Sequence, residues 1–291
     1  MDIRQLNYFV TLAETANFTR AAAKLHIAQP ALSIAVKKFE QQLGIILFDR
    51  NERRVSLTPE GEVLLRHARL ILQSVHDATI AMEELKGLTK GEVKLGVPSS
   101  LGSYYLPDIL MGFKSQYPEL KLTIVEAGTE TIRQMLLEKE LDLGIIHCDH
   151  IPDRLATEHL LTTHMVAAVH PENDLATLDV IDFKTFFEQD LVMFKPGYFH
   201  REYIDRICQE NNFEPNIAFE TNLLPMILKI VRNDFAVTAL LDMVTENESG
   251  LVPIPFEQPV ILNIAIAWRK DGYLSVADKA FMEYVKNNRQ L

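Results

Sequence analysis

Four polar side chains, Gln29, Ser33, Lys37 and Gln41, recur at a spacing that sets them along one stripe of a helix. Amide, hydroxyl and ammonium groups arranged in this way donate to phosphate oxygens or to base edges. Shortly after them, Arg50, Arg53 and Arg54 form a basic cluster suited to phosphates. A different chemistry is offered by Pro98-Ser99-Ser100-Leu101-Gly102-Ser103 and by Gly128-Thr129. Their hydroxyls and backbone N–H groups can hold a carboxylate or another anion, or serve only as helix caps. The run His147-Cys148-Asp149-His150 has three readings: a strand end with a small buried thiol, a metal site, or a redox switch. His159 and His164 lie downstream, but the spacing matches no established zinc pattern. No G-x-S-x-G elbow, H-E-x-x-H or P-loop occurs, so the chain is not read as an enzyme.

The elements that must carry the first stripe can be traced from apolar spacing. Ile3, Leu6, Phe9, Val10, Leu12 and Ala13 predict a helix over 3–15. A second runs from about Thr19 to Leu25, with Asn17 or Thr19 as its N-cap and Ala21, Ala22 and Leu25 as its small or apolar face. After a break at His26-Ile27 a third begins at Gln29-Pro30, repeats Leu32, Val36, Phe39 and Leu43, and stops at Gly44. Small alanines permit the close crossing of a helix-turn-helix. Extended runs at Ile45–Phe48 and Val55–Thr58 enclose the arginine cluster and predict a wing along the DNA backbone. Charge agrees: residues 1–58 hold eight Lys/Arg against five Asp/Glu, inside a chain of net charge −11. A basic head on an acidic body is the footprint of a nucleic-acid module. A sequence-blind DNA packer would need a larger basic surplus, so base readout is expected as well.

Pro59 opens a long helix predicted to end at Gly87. Leu64, Ala68, Ile71, Val75, Ala78, Met82 and Leu85 follow one another in alternating steps of four and three residues, which is a coiled-coil seam. It spans about 33 Å and predicts dimerisation. From Glu92 onward strands and helices alternate. The strands are expected at 93–97, 121–126, 141–147, 163–169, 191–194, 216–220, 236–240, 251–254 and 261–268. The helices are expected at 104–116, 129–139, 198–211, 223–231 and 275–288. Such an order implies an α/β domain with a parallel sheet. With 47% hydrophobic and 24% charged residues in 291, the chain suits about two soluble globular domains. No run approaches the roughly twenty apolar residues of a membrane span, no signal-peptide core precedes the first helix, and a cytoplasmic protein is expected.

The order Ala22, Leu25, Ala28-Gln29-Pro30-Ala31-Leu32-Ser33, Phe39-Glu40, Leu43-Gly44, Leu47-Phe48-Asp49-Arg50, Leu57-Thr58-Pro59-Glu60-Gly61 resembles the N-terminal signature of the LysR-type transcriptional regulators. The resemblance implies a winged helix-turn-helix over 1–58, a linker and dimerisation helix with its hinge over 59–90, and an effector domain over 91–291. That domain would comprise two Rossmann-like subdomains of the periplasmic-binding-protein type, 91–161 with 266–291 and 162–265, joined by crossover strands near Leu160–Val166 and Asn263–Trp268. The implied DNA contacts are Thr19, Arg20, Gln29, Pro30, Ser33, Lys37, Arg50, Arg53 and Arg54. Implied effector contacts are Ser99, Ser100, Thr129, His147, Tyr198, His200 and Thr221. The implied partners are an interrupted inverted repeat of double-stranded DNA, a small organic-acid or aromatic effector, a second copy or a dimer of dimers, and RNA polymerase. No cofactor is implied. The alternative within the same fold is a regulator switched by redox at Cys148 and Cys208, as in peroxide-sensing members, or by metal at His147–His150.

Overall fold

The computed structural model of the chain describes residues 1–49, 55–84 and 91–288. Two compact units emerge, Met1–Leu88 and Thr89–Leu291.

The first unit begins with α1 (Ile3–Thr15), capped by Asp2 and Gln5 in a reciprocal box. Helix α2 (Phe18–Lys24) is capped by Asn17, whose side chain accepts from the Arg20 amide at 3.0 Å, so Thr19 is not the cap. Helix α3 (Gln29–Leu43) carries Pro30 in its first turn and ends at Gly44 in the left-handed conformation, φ 70°. Ala21 and Ala22 are buried where α2 crosses, and Phe9, Phe39 and Phe48 form the aromatic centre of the core. Strands β1 (Phe48–Asp49) and β2 (Ser56–Leu57) pair antiparallel. The first strand is shorter than Ile45–Phe48 because Ile45 and Ile46 are exposed, whereas Leu47 and Phe48 turn inward. The Glu40 carboxylate accepts from the Leu47 and Phe48 amides and fixes the end of α3 to β1. Helix α4 (Pro59–Glu84) packs on α1. Ala68, placed by the heptad on the dimer seam, is instead buried in the head's own core, and Leu64 packs against that core. Ile71, Val75, Ala78 and Met82 stay exposed and, with His67, Leu70, Ser74 and Thr79, line an open apolar groove. Leu85, Arg50, Arg53 and Arg54 lie outside the described residues.

The second unit runs β3 (Glu92–Val97), α5 (Ser99–Tyr104), α6 (Leu106–Gln116), β4 (Lys121–Glu126), α7 (Thr129–Leu137), β5 (Leu143–His147) and β6 (Leu155–Val169). After a short 3-10 turn come α8 (Phe183–Phe187), β7 (Leu191–Met193), α9 (Phe199–Asn211), β8 (Ile217–Glu220), α10 (Leu224–Arg232), β9 (Thr238–Leu241), α11 (Asp242–Asn247), β10 (Val252–Arg269) and α12 (Val276–Asn287). The main sheet has the order β4-β3-β5-β10-β6-β9. Its first three strands are parallel, as the alternating pattern predicts, but β10 pairs antiparallel with both β5 and β6, and β9 pairs antiparallel with β6. The sheet is therefore mixed. Strands β7 and β8 form a separate parallel pair, linked to the chain beside β9 by a bridge from Leu191 to Val237.

Two predicted strands, 251–254 and 261–268, are one continuous β10 with a register shift between Pro255 and Val260. Likewise β6 begins at Leu155, eight residues before the predicted start at Thr163. The helix predicted over 104–116 is α6, which starts at Leu106, and a short α5 not predicted from sequence precedes it, divided from it at Tyr105. Both long strands serve two sets of neighbours. The C-terminal part of β10 borders β5, while the C-terminal part of β6 borders β9. A cleft-forming arrangement follows, with β3, β4, β5, α5 and α7 on one side and β7, β8, β9 and α9 on the other.

Candidate DNA-reading face and ligand cleft

Helix α3 divides sharply between a buried and an open face. Leu32, Val36 and Phe39 are almost fully buried, where the helix packs on α1 and α2. On the other side Gln29, Pro30, Lys37 and Gln41 are exposed and Ser33 is half-buried. Pro30, Ser33, Lys37 and Gln41 fall within an arc of about 80°. Gln29 lies at the helix start, where the backbone N–H groups of the first turn also point outward. Thr19 and Arg20 are exposed on α2, but the Arg20 guanidinium donates to the Thr15 carbonyl at 2.7 Å and so also caps α1. This face presents donors with no acidic side chain on the stripe, as a helix entering the major groove requires.

The cleft is built from strand ends. Ser99 and Ser100 follow β3, Thr129 follows β4, and His147 ends β5. From the opposite side Tyr198 and His200 open α9. The two sides meet directly. Ser100 Oγ lies 3.4 Å from His200 Nε2, Tyr198 donates its hydroxyl to Glu126 at 2.8 Å, and the Glu130 amide donates to the Gly197 carbonyl at 3.5 Å. Gly128 is required here, since a Cβ on it would lie 2.3 Å from that same carbonyl oxygen. His200 is sandwiched between Phe194 and Phe199, with ring centroids 4.5 and 3.9 Å away, and burial pushes its pKa down to about 3. Thr221 does not join this set through its hydroxyl, which accepts from the Leu223 amide in a local turn.

Four predicted residues carry buried polar atoms without a hydrogen-bond partner: Ser99 Oγ, Thr129 Oγ1, His147 Nδ1 and His200 Nδ1. Buried polar atoms are nearly always paired, so these four, at strand ends and helix starts of the same domain, stand out. Arg133 donates to the His147 and Asp149 carbonyls, and the same nitrogen lies 3.3 Å from His147 Nε2. Burial, reinforced by Arg133, lowers His147 to about 4.

The run from His147 to His150 resolves into separate parts. Asp149 accepts from Tyr203 and from Arg206, both at 2.8 Å, and so ties the end of β5 to α9. Burial opposes ionisation of Asp149, but the hydrogen bonds from Arg206 and Tyr203 prevail and hold its carboxyl below the usual range. Glu202 approaches His147 Nε2 at 3.6 Å, and burial raises its pKa. Burial, with Asp149 next in effect, also raises the Cys148 thiol, and burial raises Cys208 to about 11. Both thiols are thus protonated near neutrality, which disfavours attack on peroxide or disulfide. Among the described residues no group of three or more His, Cys, Asp or Glu side chains is placed to hold a metal ion.

Sequence reasoning overlooked Arg133, Glu126, Glu202, Tyr203 and Arg206. Arg133 had a usable signal: it neighbours Ile132 and stands one turn before Leu136, on the face where α7 meets β5. The other four acquire their roles only when α9 is laid across the strand ends.

Comparison with known proteins agrees with both halves of this geometry. Residues 3–62 match the bacterial regulatory helix-turn-helix protein, lysR family, and residues 86–290 match the LysR substrate binding domain. The HTH-type transcriptional regulator YwbI of Bacillus subtilis (strain 168) is 30% identical over 99% of this chain and 96% of its own length. A full-length OxyR variant from Pseudomonas aeruginosa superposes with a TM-score of 0.72 at 25% identity, covering 100% of this chain and 98% of the other. CbnR in complex with its target DNA has the same fold, with a TM-score of 0.71 at 21% identity and 99% coverage of both chains. Among the described residues no helix is long and apolar enough to cross a membrane.

Proposed function

The chain belongs to the LysR family of DNA-binding transcriptional regulators, and on that premise we propose that its effector is a small organic acid bound between α5, α7 and the start of α9. The observation that carries this reading is the set of unpartnered buried atoms on Ser99, Thr129, His147 and His200. Hydroxyls and N–H groups are donors, and a neutral imidazole whose proton sits on Nδ1 donates there as well. A carboxylate supplies the matching acceptors. The aromatic rings of Phe194, Tyr198 and Phe199 would accompany an apolar body attached to it.

The DNA contacts are assigned to Thr19, Arg20, Gln29, Pro30, Ser33 and Lys37, with Arg50, Arg53 and Arg54 on phosphates. Two copies associate through the exposed part of α4, so that paired heads meet the halves of an inverted repeat. The subdomains divide at about 161–162 and 265–266, and the protein works in the cytoplasm, where its DNA target lies. Ligand binding alters the contacts between the two sides of the cleft and thereby the geometry of the heads on DNA. A redox or metal trigger at His147–His150 is the weaker reading, because Asp149 is already committed to Tyr203 and Arg206 and both thiols are protonated.

The test is a thermal-shift screen of the full chain against small carboxylates, their neutral amides, amines and divalent metals. Wild type should be stabilised by a carboxylate and not by its amide. Ser99→Ala and Thr129→Ala should each weaken that response about tenfold, for about 1.5 kcal/mol of hydrogen bonding to a charged group. Stabilisation by metals or amines alone would reject the organic-acid assignment.

A further inference from the structure

We propose that Ile34 is a specificity-determining residue that reads the methyl group of a thymine in the major groove. The inference rests on the DNA-reading assignment of α3. Ile34 is 58% exposed in the second turn of that helix. It stands one turn after Pro30, beside Ser33 and one residue short of a turn before Lys37, all on the face turned away from the core. Pro30 and Ala31 are also exposed, so the open face combines a small apolar ridge with flanking donors.

Neither packing nor helix formation accounts for an isoleucine here. The core side of α3 is filled by Leu32, Val36 and Phe39, and Ile34 makes no part of that cluster. A β-branched side chain on an open helical face is a poorer helix former than alanine or a long polar residue. A single exposed aliphatic group elsewhere on the surface would need no explanation. At this position it faces the groove in which thymine alone presents a methyl group, and apolar contact with that methyl is the readout available to a hydrocarbon side chain. Gln29 and Ser33 supply hydrogen bonds to base edges. Ile34 adds discrimination of thymine from cytosine, a distinction that a phosphate contact cannot make.

The experiment selects binding sites from randomised duplex DNA with the full-length chain and with Ile34→Ala. The substitution leaves the core untouched and favours the helix, so folding is retained. Wild type should enrich thymine at a position in each half-site where the variant tolerates other bases. In the selected duplex, replacing that thymine by 2′-deoxyuridine removes only the methyl group. Wild-type affinity should then fall about fourfold, as for one lost methyl contact, and the variant should bind both duplexes alike. Equal wild-type affinity for thymine and uracil at every selected position would overturn the role of Ile34 while leaving α3 as the reading helix. Failure of wild type to enrich any sequence would overturn both.

Discussion

Moving from pH 7 to pH 5 should cost the regulatory unit about 4 kcal/mol of stability through two buried histidines. His147 and His200 have pKa values of about 4 and about 3, down from an ordinary value of 6.5. In the unfolded chain both take up protons as the pH falls through 6.5, whereas in the folded chain both stay neutral until far lower pH. The unfolded state then binds more protons, and stability present above pH 6.5 is lost progressively toward pH 4. At pH 5 the linkage amounts to roughly 2 kcal/mol for each histidine. Carboxylates held below their usual range, Asp149 among them, lose their contribution only at still lower pH, whereas Glu202, raised by burial, takes up its proton more readily in the folded chain and offsets part of the histidine loss. Urea titrations of the full chain at pH 7 and pH 5, followed by tyrosine and tryptophan fluorescence, give the two stabilities. His200→Gln should remove about half of the acid loss, because a glutamine takes up no proton in either state. An identical loss in wild type and His200→Gln would refute the argument that this imidazole is buried neutral.

Asp149→Asn removes the negative charge that receives Tyr203 and Arg206, and should lower regulatory-unit stability by about 1–3 kcal/mol in the same titration at pH 7. Val75→Glu places a carboxylate in the exposed groove of α4, and sedimentation should find the chain shifted toward monomer with a loss of binding to an inverted-repeat duplex.

Much of the head was legible because its boundaries are punctuated. Pro30 and Gly44 bracket α3, and Asn17 stands where α2 must begin, so propensity and packing agree there. The heptad was legible too, but periodicity alone does not say which partner a helix meets, and Ala68 meets its own α1. In the second unit the polar stretch at Glu257–Gln258 and the prolines around it interrupt the alternation of β10, so one strand reads as two. Short α8 and α11 carry too few turns to show a period. For the cleft, Ser99, Ser100 and Thr129 could be found because they stand where strands end and helices start. The clasp of Asp149 with Tyr203 and Arg206 could not, since it joins residues more than fifty positions apart on elements whose meeting is a property of the whole sheet.

The junction between the wing and α4 sets how force passes through the head. Thr58 donates its hydroxyl to the Ile46 carbonyl, its amide donates to the Leu47 carbonyl, and its oxygen accepts from the Gly61 amide in the first turn of α4. Gly61 sits so close to Leu47 that a Cβ would lie 2.2 Å from the Leu47 oxygen. Glu40 then couples the same segment to α3. The long helix is therefore joined to α3 through one short hydrogen-bonded segment. A twist applied to α4 is expected to reach α3 through these bonds, which would make the long helix a lever on the surface that meets DNA.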